Sequence, residues 1–80
     1  MASAVEIELL MTLGCHLCDD AEAVVRRALP KATIVRIDIG DDDHDIEQYG
    51  TRIPVLRYAG NELDWPFSLL DVRGLLARAD

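Results

Sequence analysis

Val5-Glu6-Ile7-Glu8-Leu9-Leu10-Met11-Thr12-Leu13-Gly14-Cys15-His16-Leu17-Cys18 decides how this chain is read. Apolar and charged residues alternate from Val5 to Leu9 and run on into Leu10 and Met11. That is the pattern of a strand with one face well buried and the other partly open. Gly14 permits a turn, and Cys15-His16-Leu17-Cys18 stands where the strand hands over to a helix. At a helix N-terminus the backbone N–H groups point outward unpaired, and their partial positive charge favours thiolate over thiol. A second cysteine one turn on is near enough to close a disulfide. These are the only cysteines in the chain, and their placement points to dithiol redox chemistry.

The segment after the cysteines is helical. Leu17, Ala21, Val24, Val25, Ala28 and Leu29 recur at helical spacing and define one apolar face. Asp19, Asp20 and Glu22 come early, Arg26, Arg27 and Lys31 late, an order that complements the helix dipole. Pro30 stops the helix. Ala32 to Asp38, rich in β-branched residues, predicts a second strand. Strand, helix and strand at this spacing form a βαβ unit with parallel strands.

Beyond it, Gly40-Asp41-Asp42-Asp43-His44-Asp45 is an acidic turn. An aspartate there caps a short helix ending near Tyr49, with Gly50 as its stop. The cluster does not have the spacing of a calcium loop and reads as a solvated turn. Ile53 to Tyr58 predicts a third strand, Ala59-Gly60-Asn61 a hairpin turn and Glu62 to Trp65 a short fourth strand. Trp65, Pro66 and Phe67 read as a packing plug for a small core. Ser68 is a good N-cap, supported by Asp71. Leu69, Leu70, Val72, Leu75, Leu76 and Ala79 give a final amphipathic helix, at some cost from Gly74 inside it. The predicted order is β-α-β-α-β-β-α, an α/β chain forming one domain over residues 1–80.

Bulk properties narrow the function. With 80 residues and 50% hydrophobic content, the chain builds one economical core. Its formal charge of −7 argues against a nucleic-acid footprint and against docking on anionic lipid. No apolar run approaches the roughly 18 residues of a membrane span. The first residues, Met1 to Glu6, lack the basic start and apolar stretch of a signal peptide. The expectation is a cytoplasmic protein, where a C-x-x-C pair is more often catalytic or metal-binding than structural.

Two features together carry a resemblance. Cys15-His16-Leu17-Cys18 follows the first strand, and Arg52-Ile53-Pro54-Val55 enters the third. The chain resembles a minimal thioredoxin fold of the glutaredoxin-like kind. Tyr49-Gly50-Thr51-Arg52-Ile53-Pro54-Val55-Leu56 with Trp65-Pro66-Phe67 resembles a group of short bacterial glutaredoxin-like proteins of largely undefined function. The resemblance implies a four-stranded mixed sheet in order 2-1-3-4 with the third strand antiparallel to the first. The first and third helices then cover one face and the short helix the other, which rationalises Glu6 and Glu8 on a thinly covered face.

The resemblance also implies roles. Cys15 attacks a substrate disulfide and Cys18 resolves the mixed disulfide. Pro54, if cis, shapes the substrate groove and leaves the backbone of Ile53 free to pair with an extended segment. The plain alternative is a trans proline beginning an edge strand. His16 either favours the Cys15 thiolate or is an exposed spacer, while Asp19 and Asp20 push the thiol the other way. Arg52 offers positive charge to the thiolate or to a substrate carboxylate, or stands idle. Ser68 at the helix start can bind a carboxylate.

The chain departs from glutathione-dependent glutaredoxins at several places. His16-Leu17 replaces their Pro-Tyr, no basic residue precedes the motif, and Leu63 to Ser68 lacks their Gly-Gly. Glutathione therefore remains a candidate co-substrate only, and no tightly bound cofactor is expected. The expected partner is a disulfide-containing protein or a glutathione mixed disulfide, met by a monomer. Two other classes stay open. One is a zinc or iron–sulfur carrier using the cysteine pair, although two thiolates supply about half a ligand set. The other is a non-catalytic binding module that keeps the fold.

Overall fold

A computed structural model describes residues 5–78. In chain order the elements are β1 (Glu6–Met11), α1 (His16–Ala28), β2 (Thr33–Asp38), a 3-10 turn (Ile39–Asp41), α2 (Asp43–Tyr49), β3 (Val55–Tyr58), β4 (Asn61–Asp64) and α3 (Leu69–Arg78). The four strands form one sheet in the order β2-β1-β3-β4. β1 and β2 run parallel with Glu6 opposite Thr33, as a βαβ crossover requires. β3 is antiparallel to β1, with Leu10 opposite Val55, and β4 is antiparallel to β3. This is the mixed sheet and strand order of a minimal thioredoxin fold.

The sheet separates two apolar layers. On one face Ile7, Leu9 and Leu56 meet Ala21, Val25 and Ala28 of α1 and Val72 and Leu75 of α3, closed by Phe67. On the other, Leu10 and Val55 meet Ile39 and Tyr49 in a smaller cluster beneath α2. The alternation in β1 explains the split: odd positions serve the larger layer, while Leu10 and the glutamates face the smaller one. Glu8 is neutralised across the strand pair by Arg57, 2.7 Å away. Among the described residues no charged or polar side chain is buried.

Local chemistry sets the element ends. The Asp42 carboxylate accepts the N–H groups of His44 and Asp45 and caps α2. Gly50 follows α2 as expected but keeps right-handed dihedrals, φ −56°. Its glycine identity has another cause, since a Cβ there would run into the Ile46 carbonyl. Ala59 and Gly60 both take positive φ, the conformation of the tightest hairpin loop, so Asn61 already belongs to β4. Ser68 and Asp71 form a reciprocal cap: the Ser68 N–H donates to Asp71 Oδ2 and the Asp71 N–H to Ser68 Oγ.

Two residues assigned to buried helix faces are exposed. Leu17 is 52% exposed although its angular position suits the α1 core stripe, whose buried residues are Cys18, Ala21, Val25 and Ala28. Leu70 is 73% exposed. It points well away from Val72 and Leu75 at 100° per residue, so the stripe of α3 excludes it. Ala79, also assigned to that stripe, lies outside the described residues. Gly40 and Asp41, read as the start of an acidic turn, belong to the 3-10 turn Ile39–Asp41, in which the Gly40 N–H donates to the Asp38 carboxylate.

Candidate functional site

The site begins at the C-terminal end of β1. The chain leaves Met11, turns at Gly14 with φ +79°, and enters α1 through Cys15. Cys15 is the N-cap of α1, and its Sγ accepts the N–H of Cys18 at 3.1 Å. Sulfur here takes the place of the usual serine or aspartate oxygen. Cys15 and Cys18 are joined in a disulfide across a Cα–Cα distance of 5.2 Å, within the ordinary range. The two sulfurs have unequal surroundings. Cys15 is half-buried, whereas Cys18 retains only 4% of its exposure and packs into the body of the domain. A reagent arriving from solvent meets Cys15 first.

His16 opens α1 and is exposed, as are Leu17, Asp19 and Asp20. The other expected site residues come from the far side of the sheet. Because Val55 lies opposite Leu10, Pro54 is level with Met11, just before the turn that carries the cysteines. Pro54 is buried, and the Ile53–Pro54 peptide bond is cis. The Pro54 carbonyl accepts the N–H of Trp65, whose own bond to Pro66 is also cis. Trp65 and Phe67 then meet edge to face at 5.0 Å, which ties the β4 exit and the start of α3 to Pro54.

The groups expected to hold a substrate are engaged within the chain. The Ile53 N–H donates to the Tyr49 carbonyl at 3.1 Å, as does the Arg52 N–H at 2.8 Å. The Ile53 N–H is therefore engaged within the chain, so the expectation that the Ile53 backbone is free to pair with an extended segment does not extend to its amide. Arg52 is gripped by two carboxylates, Asp64 and Glu62, each 2.8 Å away, and lies over the Tyr49 ring. Asp64 first and Glu62 second hold the guanidinium well above its ordinary pKa. The Ser68 N–H and hydroxyl serve the α3 cap.

Sequence reasoning missed the polar network that fixes the segment before Pro54. The Tyr49 hydroxyl donates to Glu62 Oε2 at 2.6 Å and accepts from Arg57 Nη1 at 3.3 Å. Arg57 in turn holds Glu8. Glu8, Arg57, Tyr49, Glu62, Arg52 and Asp64 thus link β1, β3, β4 and the end of α2. The legible signal was the alternation Glu62, Asp64 on one face of β4, opposite Arg57 and Val55. The paired charges mark that face as the thinly covered one. Among the described residues no group of three or more His, Cys, Asp or Glu side chains is placed to hold a metal ion. Among the same residues no helix is long and apolar enough to cross a membrane.

The fold and the helix-capping C-x-x-C pair define a thioredoxin-like protein of the glutaredoxin type. The chain belongs to the glutaredoxin-like domain family (DUF836), whose model matches residues 6–77. It is also similar to XcR50, a structural-genomics target from X. campestris. The X-ray structure of that protein shares 37% identity with a TM-score of 0.83, over 92% of this chain and 99% of that one. Its solution structure shares 39% identity with a TM-score of 0.81, over 92% and 95% of the two chains. No curated protein matches.

Proposed function

We propose that this chain is a small thiol–disulfide oxidoreductase in which Cys15 attacks and Cys18 resolves. One observation carries the reading: the disulfide closes across the first turn of α1, with Cys15 accessible and capping the helix and Cys18 buried behind it. In the reduced protein the Cys15 thiolate attacks one sulfur of a partner disulfide. A Cys15–partner bond forms, and the other partner sulfur leaves as thiolate and takes a proton. Cys18 loses its proton and attacks Cys15 Sγ, releasing the second partner thiol. The partner gains two electrons, and this chain becomes the Cys15–Cys18 disulfide. An external thiol, such as glutathione or a partner dithiol, returns it to the reduced state.

Pro54 walls the approach to Cys15, and Ile53 offers the partner its carbonyl. His16, exposed at the first position of α1, is the neighbour of Cys15 on the solvent side. The protein acts as a monomer in a reducing compartment such as the cytoplasm, where a C-x-x-C pair cycles rather than staying closed.

Replacement of the two cysteines separates their roles. The Cys15→Ser variant loses disulfide exchange to the level of solution thiols. Cys18→Ala still attacks and accumulates a mixed disulfide seen by intact mass. Full exchange by Cys15→Ser, or a trapped adduct on Cys18 in place of Cys15, contradicts the assignment.

A further inference from the structure

We infer that the disulfide end of the molecule is a docking surface for a cationic protein segment with apolar side chains beside its disulfide, in preference to small anionic disulfides. The inference rests on the oxidoreductase reading for its chemistry and on separate observations for its partner.

The first observation is where the exposed apolar side chains stand. Among the described residues the large hydrophobics most open to solvent are Leu13 at 82%, Leu70 at 73% and Leu17 at 52%. Single exposed leucines are ordinary on any surface. These three share one end of the fold. Leu13 and Leu17 flank Cys15 by two residues on either side. Leu70 is the second residue of α3, which starts at the same sheet end as α1 and packs beside it. The Trp65 N–H bond to the Pro54 carbonyl ties that start to the proline next to the cysteine turn. An apolar rim of this kind around a reactive sulfur gains affinity by removing leucine surface from water, which a polypeptide does and a short polar thiol does not.

The second observation is charge. Asp19 and Asp20 are exposed in the first turns of α1, and Asp71 in the first turn of α3. Asp64, half exposed, ends β4 at the same level. The cation nearest the groove, Arg52, is taken by Asp64 and Glu62, and Arg73 lies a turn beyond Leu70 along α3. The surface around the dithiol is net negative on a chain of charge −7. The anchors for an anionic ligand are also spent internally: the Ser68 N–H on Asp71 and the Ile53 N–H on Tyr49. A partner bearing lysine or arginine complements this end, and one bearing carboxylates is repelled.

The test compares three substrates of the reduced full chain. One is a cyclic disulfide peptide with leucine, phenylalanine and lysine beside its cysteines. The second is the same ring with serine, glutamine and glutamate, and the third is the neutral disulfide of mercaptoethanol. The kcat/KM for the cationic apolar peptide exceeds that for the acidic polar one by roughly tenfold or more, an advantage that shrinks in high salt. In the Leu13→Ser/Leu70→Ser variant its ratio to the neutral small disulfide falls severalfold. Both positions are exposed, so the variant keeps its fold.

Binding of the same peptides to the Cys15→Ser/Cys18→Ala variant, read by chemical-shift changes, separates the two claims. Equal exchange with both peptides overturns the docking surface and leaves the oxidoreductase standing. No exchange with any disulfide, but tighter binding of the cationic apolar peptide, overturns the redox reading and keeps the surface. Absence of preference in both exchange and binding overturns the surface.

Discussion

Cys15 does for α1 what a serine or aspartate does for most helices, accepting the N–H of Cys18. A thiol is a weak acceptor and a thiolate a strong one, so the cap is strongest when the reduced sulfur is ionised. Cys15 stands half-buried at the helix N-terminus, whereas Cys18 is only 4% exposed. The two thiols of the reduced protein therefore differ in reactivity. Iodoacetamide alkylates Cys15 of the reduced protein faster than Cys18, because Cys15 is the accessible thiol. Peptide mapping after brief exposure checks this, and equal labelling contradicts the asymmetry. The cysteine positions were legible because a strand pattern ran straight into the motif. The engagement of Arg52, Ile53 and Ser68 was not. Each partner of those groups is set by sheet register or by a loop closing on itself, and no local spacing reveals that Asp64 reaches Arg52.

Among the elements, α1 and α3 show how far periodicity goes. The stripe Ala21, Val25 and Ala28 on α1, and Val72 and Leu75 on α3, is buried as helical spacing requires. Leu17 and Leu70 look the same by composition and lie outside the core. Leu17 precedes the buried part of its stripe and Leu70 lies off its stripe. α3 also carries a removable weakness. Gly74 is inside the helix, and a Cβ added there meets nothing within 4 Å. Replacing Gly74 with Ala restricts the unfolded chain without a clash and raises stability by about 0.5–1 kcal/mol. Urea denaturation measures it, and a lower midpoint in Gly74→Ala contradicts the open space described for α3. The contrasting site is Gly50, where an alanine collides with the Ile46 carbonyl.

For the whole molecule, the two faces of the sheet are held by different forces. The α1/α3 face carries the larger apolar layer, with Glu22 of α1 joined to Arg36 of β2 beside it, whereas the α2 face combines a small apolar cluster with the network from Glu8 to Asp64. That difference gives the protein a defined response to acid. The Tyr49 hydroxyl first, and Arg52 second, hold the Glu62 carboxyl below its ordinary pKa. Arg36 does the same for Glu22, with Arg26 adding to it, and together they outweigh the burial that acts the other way. Both groups bind protons more weakly in the folded than in the unfolded chain. Their stabilisation is complete above the unfolded carboxylate value of about 4.3 and is lost as pH falls through the lower folded values. Urea midpoints are accordingly insensitive to these two groups near neutrality and decline below about pH 4.5. Glu62→Gln makes the acid decline shallower, and an unchanged acid limb in that variant would count against the network. The parallel pairing of β1 and β2 was readable from the βαβ unit, and the full strand order only through the family resemblance carried by the cysteine motif and the Pro54 segment. The network was not, because it assembles from β1, α2, β3 and β4 at once.

The central claim is that Cys15 and Cys18 form a working redox couple, and their equilibrium with reduced and oxidised glutathione at neutral pH tests it directly. Thiol trapping at each ratio, followed by intact mass, gives the fraction of Cys15–Cys18 disulfide. A reversible couple between roughly −120 and −270 mV, the range of dithiol catalysts, is the predicted result. A disulfide that never forms, or one more reducing than about −300 mV and so inert to the glutathione pool, contradicts it.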